Sequence, residues 1–261
     1  MACSPSGWLV KLRFPSAVIF MFASQTPLAL PSSPFIRAAG MSLDTLPIAW
    51  CEFDQQHWHA ELHQAWQLPL PASLQSAVTK RKAEHLASRW LVQQNLLHFG
   101  LAHFVLCNAP DRSPLWPAGI QASLSHTHSV AVMAATREPL CLGVDVEQIM
   151  AEETADETAE MLMSPVEKQR LLAQPMPFAQ AATLLFSLKE SVYKALWPQL
   201  HQPMDFLQAE VVELDVQQGR ATLRLCRDFD AYFTTKALLQ ARFWLAGSRV
   251  ITLLTHPLPT K

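Results

Sequence analysis

Apolar residues Leu74, Val78, Leu86, Trp90, Leu91 and Leu97 recur at helical spacing and predict one long helix over residues 72–99, with Gly100 as its C-cap. A proline-rich loop over 110–117 leads into 122–135, where Val130-Ala131-Val132-Met133 reads as a buried strand, and residues 140–149 form a second strand. Within that second strand, Gly143-Val144-Asp145-Val146-Glu147 alternates apolar and acidic residues. A strand therefore turns Val144 and Val146 into a core on one face and sets Asp145 and Glu147 side by side on the other. The acidic segment 152–160 opens a helix with a solvated face. Ser164-Pro165-x-Glu167 then starts another, with a capping residue, a proline in the first turn and a capping-box glutamate. A helix over 178–197 is expected to end before Pro198. Residues 209–215 and 221–225 read as a hairpin turning at Gln218-Gly219, and 242–254 supply two more short strands. Helices followed by antiparallel strands in each half give an α+β fold, and no repeat of fixed period is present.

Composition narrows the class. With 261 residues, 50% hydrophobic and only 16% charged, the chain can bury one large core or two smaller ones. A net charge of -2 excludes the basic surplus that nonspecific nucleic-acid binding requires, so any polyanion site must be local. The five cysteines, Cys3, Cys51, Cys107, Cys141 and Cys226, contain no C-x-x-C pair. They read as small buried hydrophobes of a cytoplasmic protein, and neither a disulfide framework nor a zinc site is expected. Lys11 and Arg13 precede an apolar run at 17–23 that resembles the core of a signal peptide. The uncharged span 14–36 holds four prolines, however, and makes a poor membrane helix, so no membrane span is expected. Residues 1–32 are read as a disordered extension, or as sequence upstream of a start at Met21 or Met41, and are left outside the fold.

Chemistry concentrates in two segments. Asp145 and Glu147 lie in an otherwise apolar strand, where unpaired charge is costly. About 40 residues on, in Phe186-Ser187-Leu188-Lys189-Glu190-Ser191-Val192-Tyr193-Lys194, Glu190 and Lys194 share a helix face one turn apart, whereas Lys189 points about 100 degrees away and reads as a surface charge. Three carboxylates suit Mg²⁺, which leaves its other positions to water and phosphate. The lysine suits the phosphate itself. The chain has no glycine-rich phosphate loop and only seven glycines, so side chains must hold the anion. Candidates are Ser125 and His126 in Ser125-His126-Thr127-His128, Arg81 and Arg89 on the long helix, and Arg112 in the proline-rich loop, with Lys80 and Lys82 extending the basic cluster. A polar turn and a solvated helix face are the plain alternatives. Zinc through the two histidines would lack further ligands.

These segments together, with Arg81-Lys82-Ala83-Glu84-His85-Leu86-Ala87-Ser88-Arg89, Pro114-Leu115-Trp116-Pro117 and Ser123-Leu124-Ser125-His126, resemble the 4′-phosphopantetheinyl transferases, specifically the siderophore (enterobactin) synthase type, in the family's order. The resemblance spans roughly residues 33–255. It implies a pseudo-dimer of two similar halves, 33–139 and 140–261, with the active site in the cleft between them. It further implies Mg-dependent transfer of the phosphopantetheine arm of coenzyme A to a serine of an apo carrier protein, releasing adenosine 3′,5′-bisphosphate. Carrier domains of peptide, polyketide or fatty-acid-type synthases are the implied partners, and a monomer is the implied state. By motif, Asp145, Glu147 and Glu190 resemble the Mg²⁺ ligands, Lys194 the pyrophosphate contact, and Ser125, His126, Arg112, Arg81 and Arg89 the 3′-phosphate pocket. Glu190, directly or through a metal-bound water, is the candidate base. Ser88, where the family usually has glycine, and Thr127-His128-Ser129 depart from the pattern in the nucleotide pocket. A non-catalytic coenzyme A or carrier-binding module and a metal-dependent phosphodiesterase are the competing readings.

Overall fold

The structure is a computed structural model that describes Phe22 and residues 24–259. Its first half contains β1 (Gln25–Pro27), β2 (Ile36–Ser42), β3 (Ile48–Phe53), α1 (Glu61–Ala65), α2 (Thr79–Leu97), a two-stranded ribbon of β4 (Cys107–Asn108) and β5 (Pro114–Leu115), then β6 (Gln121–His126) and β7 (Val130–Thr136). The second half runs β8 (Leu140–Gln148), α3 (Glu152–Leu162), α4 (Pro165–Leu172), α5 (Phe178–Leu200), β9 (Ala209–Asp215), β10 (Arg220–Leu225), β11 (Leu238–Ala246) and β12 (Arg249–Pro257). Two five-stranded antiparallel sheets result, ordered β1-β2-β3-β7-β6 and β8-β12-β11-β10-β9. The chain is thus α+β, a long helix on a sheet in each half.

Strand alternation builds three cores from two sheets. Ala131 and Met133 of β7 pack beneath Leu86, Leu91 and Leu96 of α2. Their neighbours Val130 and Val132 face the opposite way, onto Val144 and Val146 of β8 and Ile251 and Leu253 of β12. The second half packs Leu184, Leu188 and Val192 of α5 against Val211, Leu223 and Phe243. Complete burial of each such side chain contributes about 1.5–3 kcal/mol. As expected from the alternation, the valines flanking Asp145 are buried.

Several boundaries differ from the sequence reading. The helix predicted from residue 72 begins only at Thr79; residues Ala72–Leu74 make a separate 3-10 turn, and Val78 is 67% exposed, so that part of the stripe faces water. The far end closes as expected, with Gly100 at φ 75° and the Leu101 amide donating to Leu96 O. Pro198 does not end α5, which continues to Leu200 and stops at left-handed His201. A proline in the last turn removes only one backbone hydrogen bond there. Residues 122–135 hold two paired strands. Gln25–Pro27, assigned to the extension, add an edge strand to β2. The signal-like run lies outside the described residues except for Phe22. Cys51 and Cys141 are buried, but Cys107 and Cys226 are exposed, against the expectation that every cysteine is a core residue. Among the described residues, no helix is long and apolar enough to cross a membrane.

Candidate active site

The site is built where β8 meets α5, and Gly143 sets the distance. A Cβ on Gly143 would lie 1.9 Å from Ser191 O and 2.9 Å from Ala195 N, so only glycine lets strand and helix backbones touch. Two residues along the strand, Asp145 is buried directly against the helix. Its Oδ2 accepts from Ser187 Oγ at 2.8 Å, and its Oδ1 accepts from Ser125 Oγ at 2.7 Å and Lys194 Nζ at 2.6 Å. Lys194 also donates to Ser125 Oγ at 2.9 Å. Strand β6 thereby enters the network, and the Val144 amide donating to Ser123 Oγ at 2.9 Å ties β6 and β8 together just below.

Glu147 and Glu190 flank this knot and carry charge that one lysine does not offset. Burial pushes the Glu147 carboxyl up to about 7, with the neighbouring Asp145 and Glu190 charges adding and Lys194 opposing. Burial likewise raises Glu190, opposed by Lys194 and reinforced by Asp145. Oxygen-only donors crowded into mutual repulsion are the donor chemistry of a hard divalent cation. Their oxygens are not gathered onto one point, however. Among the described residues no three His, Cys, Asp or Glu side chains are grouped closely enough to hold a metal, and Asp145 is turned onto the Lys194 ammonium.

Basic groups from α2 and the loop before β6 line the other end. Arg89 donates from Nε to Leu106 O at 3.2 Å and from Nη2 to Asn108 Oδ1 at 2.5 Å, and burial lowers its pKa to about 10. Asn108 in turn donates to Arg112 O at 2.6 Å, holding Arg112 in its left-handed backbone conformation. Burial lowers His126 to about 4, with Lys194, Arg81 and Arg89 adding to the effect. All nine predicted site residues, Arg81, Arg89, Arg112, Ser125, His126, Asp145, Glu147, Glu190 and Lys194, line one cavity of about 470 Å³ that draws on both halves. Lys80 and Lys82 do not line it; Lys80 is exposed, 4.0 Å from Glu84.

Residues 70–136 match the family model of the 4'-phosphopantetheinyl transferase N-terminal domain, and residues 141–253 match that of the 4'-phosphopantetheinyl transferase superfamily. The chain is 36% identical over 204 residues to enterobactin synthase component D of Salmonella typhi, covering 78% of this chain and 83% of the relative. The chain belongs to the 4′-phosphopantetheinyl transferase superfamily. The counterpart from Escherichia coli O157:H7 is 36% identical over 167 residues, 64% of this transferase and 78% of the relative. The 4'-phosphopantetheinyl transferase Svp of Streptomyces mobaraensis is 32% identical over 158 residues, 59% and 63% of the two chains. This transferase is a holo-carrier-protein synthase, an enzyme that loads carrier proteins with the phosphopantetheine arm of coenzyme A.

Sequence reasoning missed several residues of the transferase's cavity. Ser187 lies in the same segment as Glu190, and its position three residues before it on one helix face is the available signal. Glu84 and His85 also line the cavity, one turn from Arg81 and Arg89 on α2. Lys189, read as a surface charge, is buried and donates to Glu167 Oε2 at 3.0 Å and Leu162 O at 2.8 Å. That reading is corrected: the lysine packs between helices, where only a fixed partner makes its burial affordable.

Proposed function

We propose that this transferase takes coenzyme A with its 3′-phosphate at Arg81, Arg89, Arg112, Ser125 and His126 and its pyrophosphate at Lys194, and modifies the serine of a peptidyl carrier domain in siderophore synthesis. The observation that carries this reading is the single cavity in which three carboxylates and Lys194 face a cluster of arginines. The names of the relatives, enterobactin synthase component D, support siderophore peptide synthetases over polyketide or fatty-acid-type carriers. Lys194 neutralises the pyrophosphate oxygens as charge builds on the leaving group, where phosphoryl-type transfer gains most. Glu190, whose carboxyl is raised by burial, takes the serine proton. The serine oxygen bonds to the β-phosphorus, the bond from that phosphorus to the bridging oxygen breaks, and adenosine 3′,5′-bisphosphate departs. Asp145, Glu147 and Glu190 would hold Mg²⁺ once Asp145 turned from Lys194 and the three carboxylates drew together, and the ion would supply further charge neutralisation at the pyrophosphate. One chain lines the whole cavity, which supports a monomer, and the unpaired cysteines among the described residues support a reducing cytoplasm.

Intact-mass measurement of apo carrier domains incubated with the protein, coenzyme A and Mg²⁺ tests this. A gain of one phosphopantetheine per carrier is expected, with peptidyl carriers modified fastest, and Asp145→Ala should abolish it. Normal labelling by Asp145→Ala would refute the site. Hydrolysis of phosphodiesters without a carrier would favour the phosphodiesterase reading instead.

A further inference from the structure

The function above leaves one buried acid in the basic end of the cavity without a task. Glu84 is almost wholly buried on α2, between Arg81 and Arg89 in sequence, and lines the cavity. A carboxylate there opposes anion binding unless something uses its charge. Its Oε2 lies 3.9 Å from Nδ1 of His126. That nitrogen is fully buried and has no hydrogen-bond partner, although the ring as a whole is one-third exposed. Nε2 is therefore the nitrogen on the accessible side. A small rotation about the Glu84 side chain brings the oxygen into hydrogen-bond range of Nδ1.

We propose that Glu84 is a positioning residue for His126: its carboxylate accepts the Nδ1 hydrogen, which orients the ring so that Nε2 presents its own hydrogen to the 3′-phosphate of coenzyme A. The inference rests on the assignment of His126 to that phosphate. Two-sided hydrogen bonding fixes the tautomer of an imidazole in the way a carboxylate orients a metal-bound histidine. The surroundings agree. Lys80, Arg81, His85 and Arg89 on α2, His128 beyond β6 and Lys194 on α5 all bear on the pair, and burial raises Glu84 while lowering His126.

The test compares coenzyme A with 3′-dephospho-coenzyme A as donors for one apo carrier, in the wild type, Glu84→Gln, His126→Ala and the double variant. Glu84→Gln should raise KM for coenzyme A on the order of tenfold, the value of one charge-assisted hydrogen bond, with kcat nearly unchanged. KM for the dephospho donor should not move. Added to His126→Ala, Glu84→Gln should have no further effect. The pH profile should also shift: binding of adenosine 3′,5′-bisphosphate by Glu84→Gln should weaken at lower pH than in the wild type, because the imidazolium has lost its counter-charge. If Glu84→Gln is too unstable to assay, Glu84→Asp should show the same donor-specific loss. Equal losses with both donors, a loss that persists without His126, or tighter coenzyme A binding by Glu84→Gln would each overturn the proposal. No labelling by the wild type from either donor would fail the functional reading itself, an outcome separate from wild-type labelling without Glu84–His126 coupling.

Discussion

Lys189 and Lys194 stand on the same helix, and each ends on a carboxylate that the fold has buried, yet they do opposite things. The Lys189 side chain is 2% exposed, and its partner Glu167 is equally enclosed. Glu167 also accepts from the Val211 amide at 2.9 Å and from the Ser164 amide at 3.1 Å, so the pair fastens α3, α4, α5 and β9 away from water. Lys194 is 26% exposed at the cavity, and its partner Asp145 has two further carboxylates nearby. A closed ion pair can only hold structure. An open one, short of positive charge, can exchange partners when an anion and a cation arrive.

Four experiments test that contrast, in decreasing size of effect. Lys189→Met should cost about 3–5 kcal/mol in stability by stranding Glu167, measured by denaturant unfolding, with transfer per folded molecule within a fewfold of wild type. Mg²⁺ should not restore it. Lys194→Met should cut transfer about a hundredfold, and the stability it loses should return on adding Mg²⁺, because a cation can replace the missing ammonium among Asp145, Glu147 and Glu190. If Mg²⁺ rescues both variants or neither, the distinction between closed and open pairs fails. Gly143→Ala should destabilise by about 1–3 kcal/mol, since its methyl meets backbone at Ser191, and should lower transfer by forcing β8 off the helix; unchanged kinetics would show that this contact does not position the site. The smallest effect is on pH. The Glu147 carboxyl sits near 7 in the fold against an ordinary 4.5, so the folded protein binds the extra proton between those values and its stability falls as pH rises through that window. Without added metal, Glu147→Gln should lose that fall, and the gap between its melting temperature and that of wild type should shift in the mutant's favour from pH 4.5 to about 7. A constant gap would refute the raised carboxyl.

What could be read from the sequence follows from how local each signal is. Alternation in Val144-Asp145-Val146-Glu147 and the one-turn spacing of Glu190 and Lys194 are backbone periodicities, and Asp145, Glu147, Glu190 and Lys194 do line one cavity. The capping box at Ser164 and Glu167 formed as expected for the same reason. Lys189 was misread because a helical period gives the angle between residues, not what packs against each angle. Only α3 and α4, folded back over α5, make its face an interior one. Glu84 escaped notice because it looks like any helix-surface acid until β6 carries His126 across to it. The helix start was misplaced at residue 72 because Leu74 and Val78 continue the apolar spacing, though Leu74 lines the cavity and Val78 faces water.

The layer shared by the two sheets has a practical consequence. Ile48, Trp50, Val130 and Val132 from one sheet pack in one buried layer against Val144, Val146, Ile251 and Leu253 from the other. Cutting the chain near residue 139 would therefore strip a whole sheet face of its cover on each fragment, and each piece alone should be sticky and insoluble. Co-expressed, the fragments have a ready template for reassociation, and recovery of transfer would report directly on their meeting.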